Sequence, residues 1–365
     1  MKNILIFLFF LIIVSCKTDN ETYKSKNNDK TELKSEKRID YFKIEKPINL
    51  DTITYGSFVD FKINLIDTLQ ATDSIQVFLN GKLIHLDLKH QFSIAVTPEK
   101  VGDNIISVKT FLKDGLTPRK SVNLFIISDI EPRRIKYSLI KTYPHSTDNF
   151  TEGFIFKNGL LYESTGDWGK SAIFVSDLRD GKILQSTYLP SDKFGEGIAI
   201  LNNKITQLTY KSMEGYIYDQ HSFSQIRKFK YSFYTQGWGL TTDDENFIMS
   251  NGTNKIYVLD STYYTPIKEI TICDNKEPID SLNELEYVQG LIYSNIWMSN
   301  KIAQIDYKTG KVLGYLDLTA IIPKKYRNHH SDVLNGIAYN DDNNSFLITG
   351  KHWDKIYEIK IEDEQ

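Results

Sequence analysis

Apolar and polar residues alternate with a period of two through short runs from about residue 41 onward, and few stretches carry a helical period. Ser57–Ile63, Ser74–Leu79, Phe92–Val96, Asn104–Val108 and Ser121–Ile126 are such runs, and Asn80-Gly81 marks a tight hairpin turn. Half-buried strands explain the alternation, because successive side chains point to opposite faces of a sheet. Five or more strands here predict a small immunoglobulin-like β-sandwich over residues 41–132. No chemical constellation accompanies them, so this module reads as a spacer or docking unit.

Beyond residue 136 the pattern becomes an internal repeat. Five times a Gly or its equivalent precedes an apolar strand: Glu152-Gly153-Phe154-Ile155, Glu196-Gly197-Ile198-Ala199, Trp238-Gly239-Leu240-Thr241, Glu284-Leu285-Glu286-Tyr287 and Asn335-Gly336-Ile337-Ala338. A second landmark, a strand ending in Asp before a turn, follows in Ser176-Asp177, Tyr218-Asp219, Leu259-Asp260 and Ile305-Asp306. The copies recur at intervals in the forties to about fifty residues with about four strands each, a propeller signature. The chain is therefore expected to be all-β, a five-bladed β-propeller over 136–362 preceded by the sandwich. The strand entering at Tyr137–Lys141 is expected to pair with the last blade and close the ring, leaving few open sheet edges. An open stack of hairpins would expose long ones.

Composition changes the picture mainly at the N-terminus. Lys2, the apolar run Ile4–Val14 and Ser15-Cys16 predict a lipoprotein signal peptide over 1–16, with Cys16 as the lipidated first residue of the mature protein. The run is too short to span a bilayer comfortably. An ordinary secretory signal with an incidental Cys16 is the competing reading. Residues 17–40 carry almost no apolar side chains and are expected to form a disordered tether. The expected location is the bacterial cell envelope, lipid-anchored and periplasmic or surface-facing. Tyr and Phe, with 22 and 20 copies in 365 residues, favour strands. A net charge of -3 argues against a general nucleic-acid binder. With only Cys16 and Cys273, neither a disulfide framework nor a thiolate metal cluster can be built. Cys273 reads as a small hydrophobe in a strand.

In a propeller the innermost strand of each blade lines the central channel. The five repeat starts should therefore gather Glu152, Glu196, Trp238, Asn283 and Asn335 around one mouth. A ring of carboxylates, amides and aromatics makes a small-ligand pocket. Blander readings compete for each residue. A Gly before a strand is usually a backbone device. Trp168, Trp238, Trp297 and Trp353 can be core or inter-blade packing, and a channel carboxylate can simply solvate the pore. Taken alone, the ring says ligand-binding propeller and nothing sharper.

A series of short motifs goes further: Tyr143-Pro144-His145, Phe150-Thr151-Glu152-Gly153, Leu161–Gly166, Phe194-Gly195-Glu196-Gly197, Gly237–Thr241, Leu282–Glu286, Asn295-Ile296-Trp297, Val333–Ala338 and Thr349-Gly350-Lys351. Their order, over about residues 140–360, resembles the plant and bacterial type of glutaminyl-peptide cyclotransferase. The leader and sandwich lie outside the likeness. The resemblance implies a five-bladed propeller that converts the N-terminal glutamine of peptides or proteins to pyroglutamate with release of ammonia. It implies Glu196 as the catalytic general acid/base, no metal and no other cofactor. Phe150, Phe194, Trp238, Asn283, Trp297 and Lys351 match pocket positions. Glu152 and Tyr210, also assigned to the pocket, stand where the family usually has Gln and Trp. The expected partners are peptides or proteins with N-terminal Gln, and a membrane through the lipid anchor.

The chemistry suits these residue types. The substrate's α-amine, with a free pKa near ~8, attacks its own γ-amide carbonyl. One carboxyl group can carry the proton from amine to departing nitrogen, a role worth roughly 10²–10⁴-fold. Aromatic burial raises such a carboxyl's pKa towards neutrality. Asn283 or Lys351 can hold the amide oxygen, while Trp238 and Trp297 wall the side chain into its cyclising conformer. An acid at 152 can attract the substrate amine or raise the pKa of Glu196 by like-charge repulsion. Tyr210 keeps an aromatic wall and adds a hydroxyl. Two other readings stay open: a non-catalytic peptide- or ligand-binding propeller lipoprotein, which Glu152 favours, and a metal-dependent propeller lactone hydrolase. The seven His, including His329-His330, form no zinc signature.

Overall fold

The computed structural model describes residues 40–66, 72–326 and 332–362. The expected signal segment with Cys16, the expected tether as far as residue 39 and the His329-His330 pair lie outside the described residues. Apart from one 3-10 turn, Lys324–Tyr326, every described element is a strand. Among the described residues no helix is long and apolar enough to cross a membrane.

Strands between Phe42 and Ile127 form two sheets, one of three strands and one of five. The alternation acts as expected. Val59, Phe61 and Ile63 are buried in Phe58–Leu65, and Ile75, Val77 and Leu79 in Thr72–Leu79. These faces meet in one core with Phe42, Ile106, Val108, Leu124 and Ile126. Each such side chain contributes roughly 1.5–3 kcal/mol when fully buried. The result is a two-sheet sandwich.

The strands from Tyr137 onward form five further sheets. Thr151–Lys157, Gly195–Leu201, Leu240–Thr242, Leu282–Val288 and Leu334–Asn340 are their inner strands, each starting an antiparallel sheet. Every inner strand contacts the next, and the last contacts the first, so the ring is closed. Tyr137–Pro144 pairs with Lys355–Ile361 as the outer strand of the fifth blade, the expected closure. Arg133–Ile135 adds in parallel to Val312–Asp317 at the edge of the fourth blade. Three residues are too few to show alternation, and this strand was not legible in the sequence.

Inner strands are covered on both faces, so most of their residues are buried, polar ones included. Gly195–Leu201 is buried throughout, whereas the outer strand Ile183–Tyr188 of the first blade is largely exposed. Gly153, Gly197 and Gly239 of the repeat stand where neighbouring inner backbones touch. A Cβ on Gly197 would lie 2.4 Å from Leu240 N, and one on Gly239 would lie 2.1 Å from Asn283 O. The recurring Asp also has a local cause. Asp219 Oδ1 accepts from the backbone N–H of His221 and Ser222, and Asp260 Oδ1 from those of Thr262 and Tyr263. Each closes an Asx turn after its strand.

Candidate active site

In an antiparallel hairpin the start of the first strand and the end of the second meet at one edge. The two inner strands of each blade therefore deliver side chains to the same mouth of the channel. Phe150, Glu152, Phe194, Glu196, Trp238 and Asn283 come from the starts of inner strands. Tyr210, Trp297 and Lys351 follow Lys204–Thr209, Leu291–Ile296 and Ser345–Gly350. One backbone bond per blade ties the two ends: Tyr210 N–H donates to Phe194 O (3.1 Å), Trp297 N–H to Ser281 O (2.8 Å) and Lys351 N–H to Val333 O (2.9 Å). All nine sequence-predicted pocket residues line one cavity of about 250 Å³. That is small beside the roughly 300–1,000 Å³ of drug-sized sites and suits a single side chain.

Bulges aim the inner-strand residues. Pairing register slips between Thr151 and Gly153, Gly195 and Ile198, Leu282 and Leu285, and Leu334 and Ile337. Glu152, Glu196, Asn283 and Asn335 lie within these slips, and a bulge redirects a side chain out of the regular alternation. Asn335 nevertheless does not join the cavity wall with the other four, contrary to the ring expectation. It lies buried behind Glu152, where its Nδ2 donates to Glu152 Oε2 (3.0 Å) and Thr151 O (2.8 Å). Of the tryptophans, Trp353 is core at 1% exposure, while Trp168 is exposed and packs against Phe194 (centroids 5.6 Å).

An aromatic chain surrounds the opening. Phe150 meets Phe194 (5.9 Å), Phe194 meets Tyr210 (5.9 Å), Tyr210 meets Trp238 (6.5 Å) and Trp238 meets Trp297 (5.9 Å). Within this wall Lys351 Nζ sits 2.6 Å from Glu152 Oε1 and 4.3 Å above the Phe150 ring. Lys351 is therefore a paired cation. Burial raises the pKa of Glu152, with Lys351 and the Asn335 hydrogen bond opposing. Glu196 is only 5% exposed. Its pKa is raised well above the usual carboxylate range by burial and then by the Glu152 charge, against the pull of Lys351. Asn283 Oδ1 is buried and has no hydrogen-bond partner among the described residues.

Deeper in the channel stand two acids whose roles the sequence did not reveal. Glu284, on the fourth blade, accepts from Phe154 N–H of the first blade (3.3 Å) and from Ile337 N–H of the fifth (2.7 Å). Glu286 accepts from Tyr339 N–H (2.8 Å). Burial pushes Glu286 up to about 8 and Glu284 well above its ordinary value. These carboxyls stitch inner strands together. Among the described residues no three His, Cys, Asp or Glu side chains are grouped to hold a metal ion.

A closed β-propeller with a strongly perturbed acid in an aromatic pocket at its mouth defines an enzyme-type site for a small group. The sequence profile described as glutamine cyclotransferase matches residues 115–361, and the chain belongs to that family. The match begins earlier than the motifs suggested and takes in the sandwich strand Arg119–Ile127. A glutaminyl-peptide cyclotransferase of Arabidopsis thaliana is 34% identical over 236 residues, 64% of this chain and 73% of that protein. The crystal structure of Myxococcus xanthus glutaminyl cyclase is 28% identical and superposes with a TM-score of 0.57, covering 64% of this chain and 100% of that one.

Proposed function

We propose that this protein is a glutaminyl-peptide cyclotransferase acting on peptides or proteins with N-terminal glutamine. Family membership supports the reaction. The observation that carries the reading of the site is Glu196, a buried carboxyl on the cavity wall that no donor among the described residues engages. A carboxyl of raised pKa holds its proton to higher pH than an ordinary carboxylate does, which suits a general acid.

The neutral α-amine attacks the γ-carbonyl carbon. A carbon–nitrogen bond forms to close the lactam, and the bond to the amide nitrogen breaks. Glu196 gives its proton to the departing nitrogen and recovers one from the attacking amine, so ammonia leaves with no net change at the carboxyl. Asn283 Oδ1 offers a free acceptor to a substrate N–H. Lys351 has three donors and gives one to Glu152, leaving others for the amide oxygen as charge develops. The aromatic wall excludes water and limits the side chain to folded conformers. Ammonia release from a Gln-initiated peptide, compared with its N-acetylated form and repeated in EDTA, tests this reading. No release from several such peptides by folded protein would leave only ligand binding.

The enzyme is further proposed to be a lipoprotein of the bacterial cell envelope, anchored through Cys16. The apolar run Ile4–Val14 followed by Ser15-Cys16 supports this. A palmitate analogue should label the wild type and not Cys16→Ser; equal labelling would refute the anchor.

A further inference from the structure

Behind Phe150 and Glu152 lies a buried ion pair, His145 and Glu163, whose side chains are 2% and 4% exposed. His145 Nε2 faces Glu163 Oε1 at 3.1 Å, and Nδ1 faces Trp353 O at 2.7 Å. The Thr349 hydroxyl, 3.4 Å from Nδ1, gives its own proton to Lys355 O. Each ring nitrogen thus meets acceptors. A neutral imidazole donates from one nitrogen only, so both contacts are satisfied when both nitrogens carry protons. Glu163 takes three donors in all, adding Asn149 Nδ2 (2.6 Å) and Thr151 Oγ1 (2.7 Å) to His145.

These partners bracket the site. Asn149 and Thr151 flank Phe150, while Thr349 and Trp353 lie two residues either side of Lys351. His352 N–H donates to Asn149 O (2.8 Å) across the same seam. The Lys351–Glu152 pair and the Lys351–Phe150 contact span it. We propose that His145 is a positioning residue: as an imidazolium clamped between Glu163 and the Trp353 carbonyl, it holds the seam that carries Phe150, Glu152 and Lys351, and cyclisation fails when it loses its proton. The kinetic half of this inference rests on the cyclotransferase reading.

The charged groups facing His145 from neighbouring elements are few. Asp354 is engaged by Lys325 Nζ and Tyr326 OH, each at 3.1 Å. Asp177, across a small adjoining cavity, is paired with Arg179. Of the charged groups among the described residues, Glu163 is the one that contacts the ring. Burial opposes the imidazolium, but Glu163, helped by the Trp353 carbonyl and Asp354, outweighs it and raises the pKa. A raised folded-state pKa gives stability that is complete below the unfolded value of about 6.5 and is lost as pH rises through the folded value. The clamp is therefore closed below about pH 6.5 and opens as pH rises through the raised folded-state value of His145.

The test is the pH dependence of kcat/KM for a Gln-initiated peptide amide with wild type and Glu163→Gln. Loss of the carboxylate should move the alkaline fall to lower pH by about one unit or more. The charges acting on Glu196 are Glu152 and Lys351, so the substitution alters no charge that acts directly on Glu196. Coincident alkaline limbs in the two active proteins overturn the role of His145. Nitrogen NMR of ¹⁵N-histidine-labelled wild type, titrated upward from about pH 6.5, reads the ring directly and does not depend on the variant folding. At about pH 6.5 two protonated nitrogens are expected for His145, with the second proton lost at higher pH than from an unperturbed imidazole, and a neutral ring there overturns the inference. Absence of turnover at every pH, with His145 charged, instead sinks the activity assignment and the kinetic role with it.

Discussion

Replacing Glu152 with Gln removes one negative charge from the channel mouth while keeping almost the same shape. In the wild type Oε1 accepts from Lys351 Nζ at 2.6 Å and Oε2 from Asn335 Nδ2 at 3.0 Å. Gln has one oxygen, which can stay with Lys351; its NH₂ then faces the NH₂ of Asn335. Asn335 Oδ1 has no partner among the described residues, so that amide can turn over and accept. Turning over sacrifices its 2.8 Å bond to Thr151 O. The net loss is one buried hydrogen bond and the counter-ion of Lys351. Removing one partner of a buried ion pair costs about 3–5 kcal/mol. The retained hydrogen bond, and a Glu196 now freer to ionise beside Lys351, reduce this to about 1–3 kcal/mol. At roughly 2–4 °C per kcal/mol for a domain of this size, Tm should fall by about 2–12 °C in a fluorescence melt. The charge change also has a kinetic sign. Without repulsion from Glu152, the pKa of Glu196 falls, so its acid form is lost at lower pH. The kcat/KM limb that reports Glu196 should move down the pH scale. An unchanged or higher Tm, or a limb that moves upward, would refute this picture of the Glu152–Lys351–Glu196 group.

Two structural predictions follow from the ring. Gly197→Ala places a methyl 2.4 Å from Leu240 N and 2.5 Å from Trp238 O, where Gly197 N–H now donates to Trp238 O at 2.8 Å. A loss of about 1–3 kcal/mol is expected in urea unfolding, and an unchanged midpoint would contradict the tight inter-blade contact. Glu284→Leu strips the acceptors from Phe154 N–H and Ile337 N–H, at about 1–3 kcal/mol for each orphaned donor. A variant as stable as the wild type by the same measurement would show that these donors have other partners.

Much of this architecture can be read from the chain, for physical reasons. Inner backbones touch at Gly197 and Gly239, and glycine recurs at this position in four of the five blades, the fourth carrying Leu285, which exposes the repeat. The Asp of each Asx turn recurs because the turn needs its carboxylate. What escaped depends on ring closure. Glu152 and Lys351 are 199 residues apart and meet only because the fifth blade returns to the first. The bulges at Glu152, Glu196, Asn283 and Asn335 break period two for a residue or so, which a short apolar strand conceals. Asn335 shares the repeat position of the wall residues, yet its partner Glu152 draws it back. A usable signal existed for Glu284 and Glu286: two acids in a strand that must be buried are anomalous and call for partners.

The most direct test of the central claim is the mass of a Gln-initiated peptide incubated with wild-type protein and with Glu196→Gln. The wild type should release ammonia from the peptide, and Glu196→Gln should do so about 10²–10⁴-fold more slowly. Its Tm should match or exceed that of the wild type, since a costly buried carboxyl has been removed. Wild-type turnover by a folded Glu196→Gln protein would contradict the assignment of Glu196 as the proton carrier.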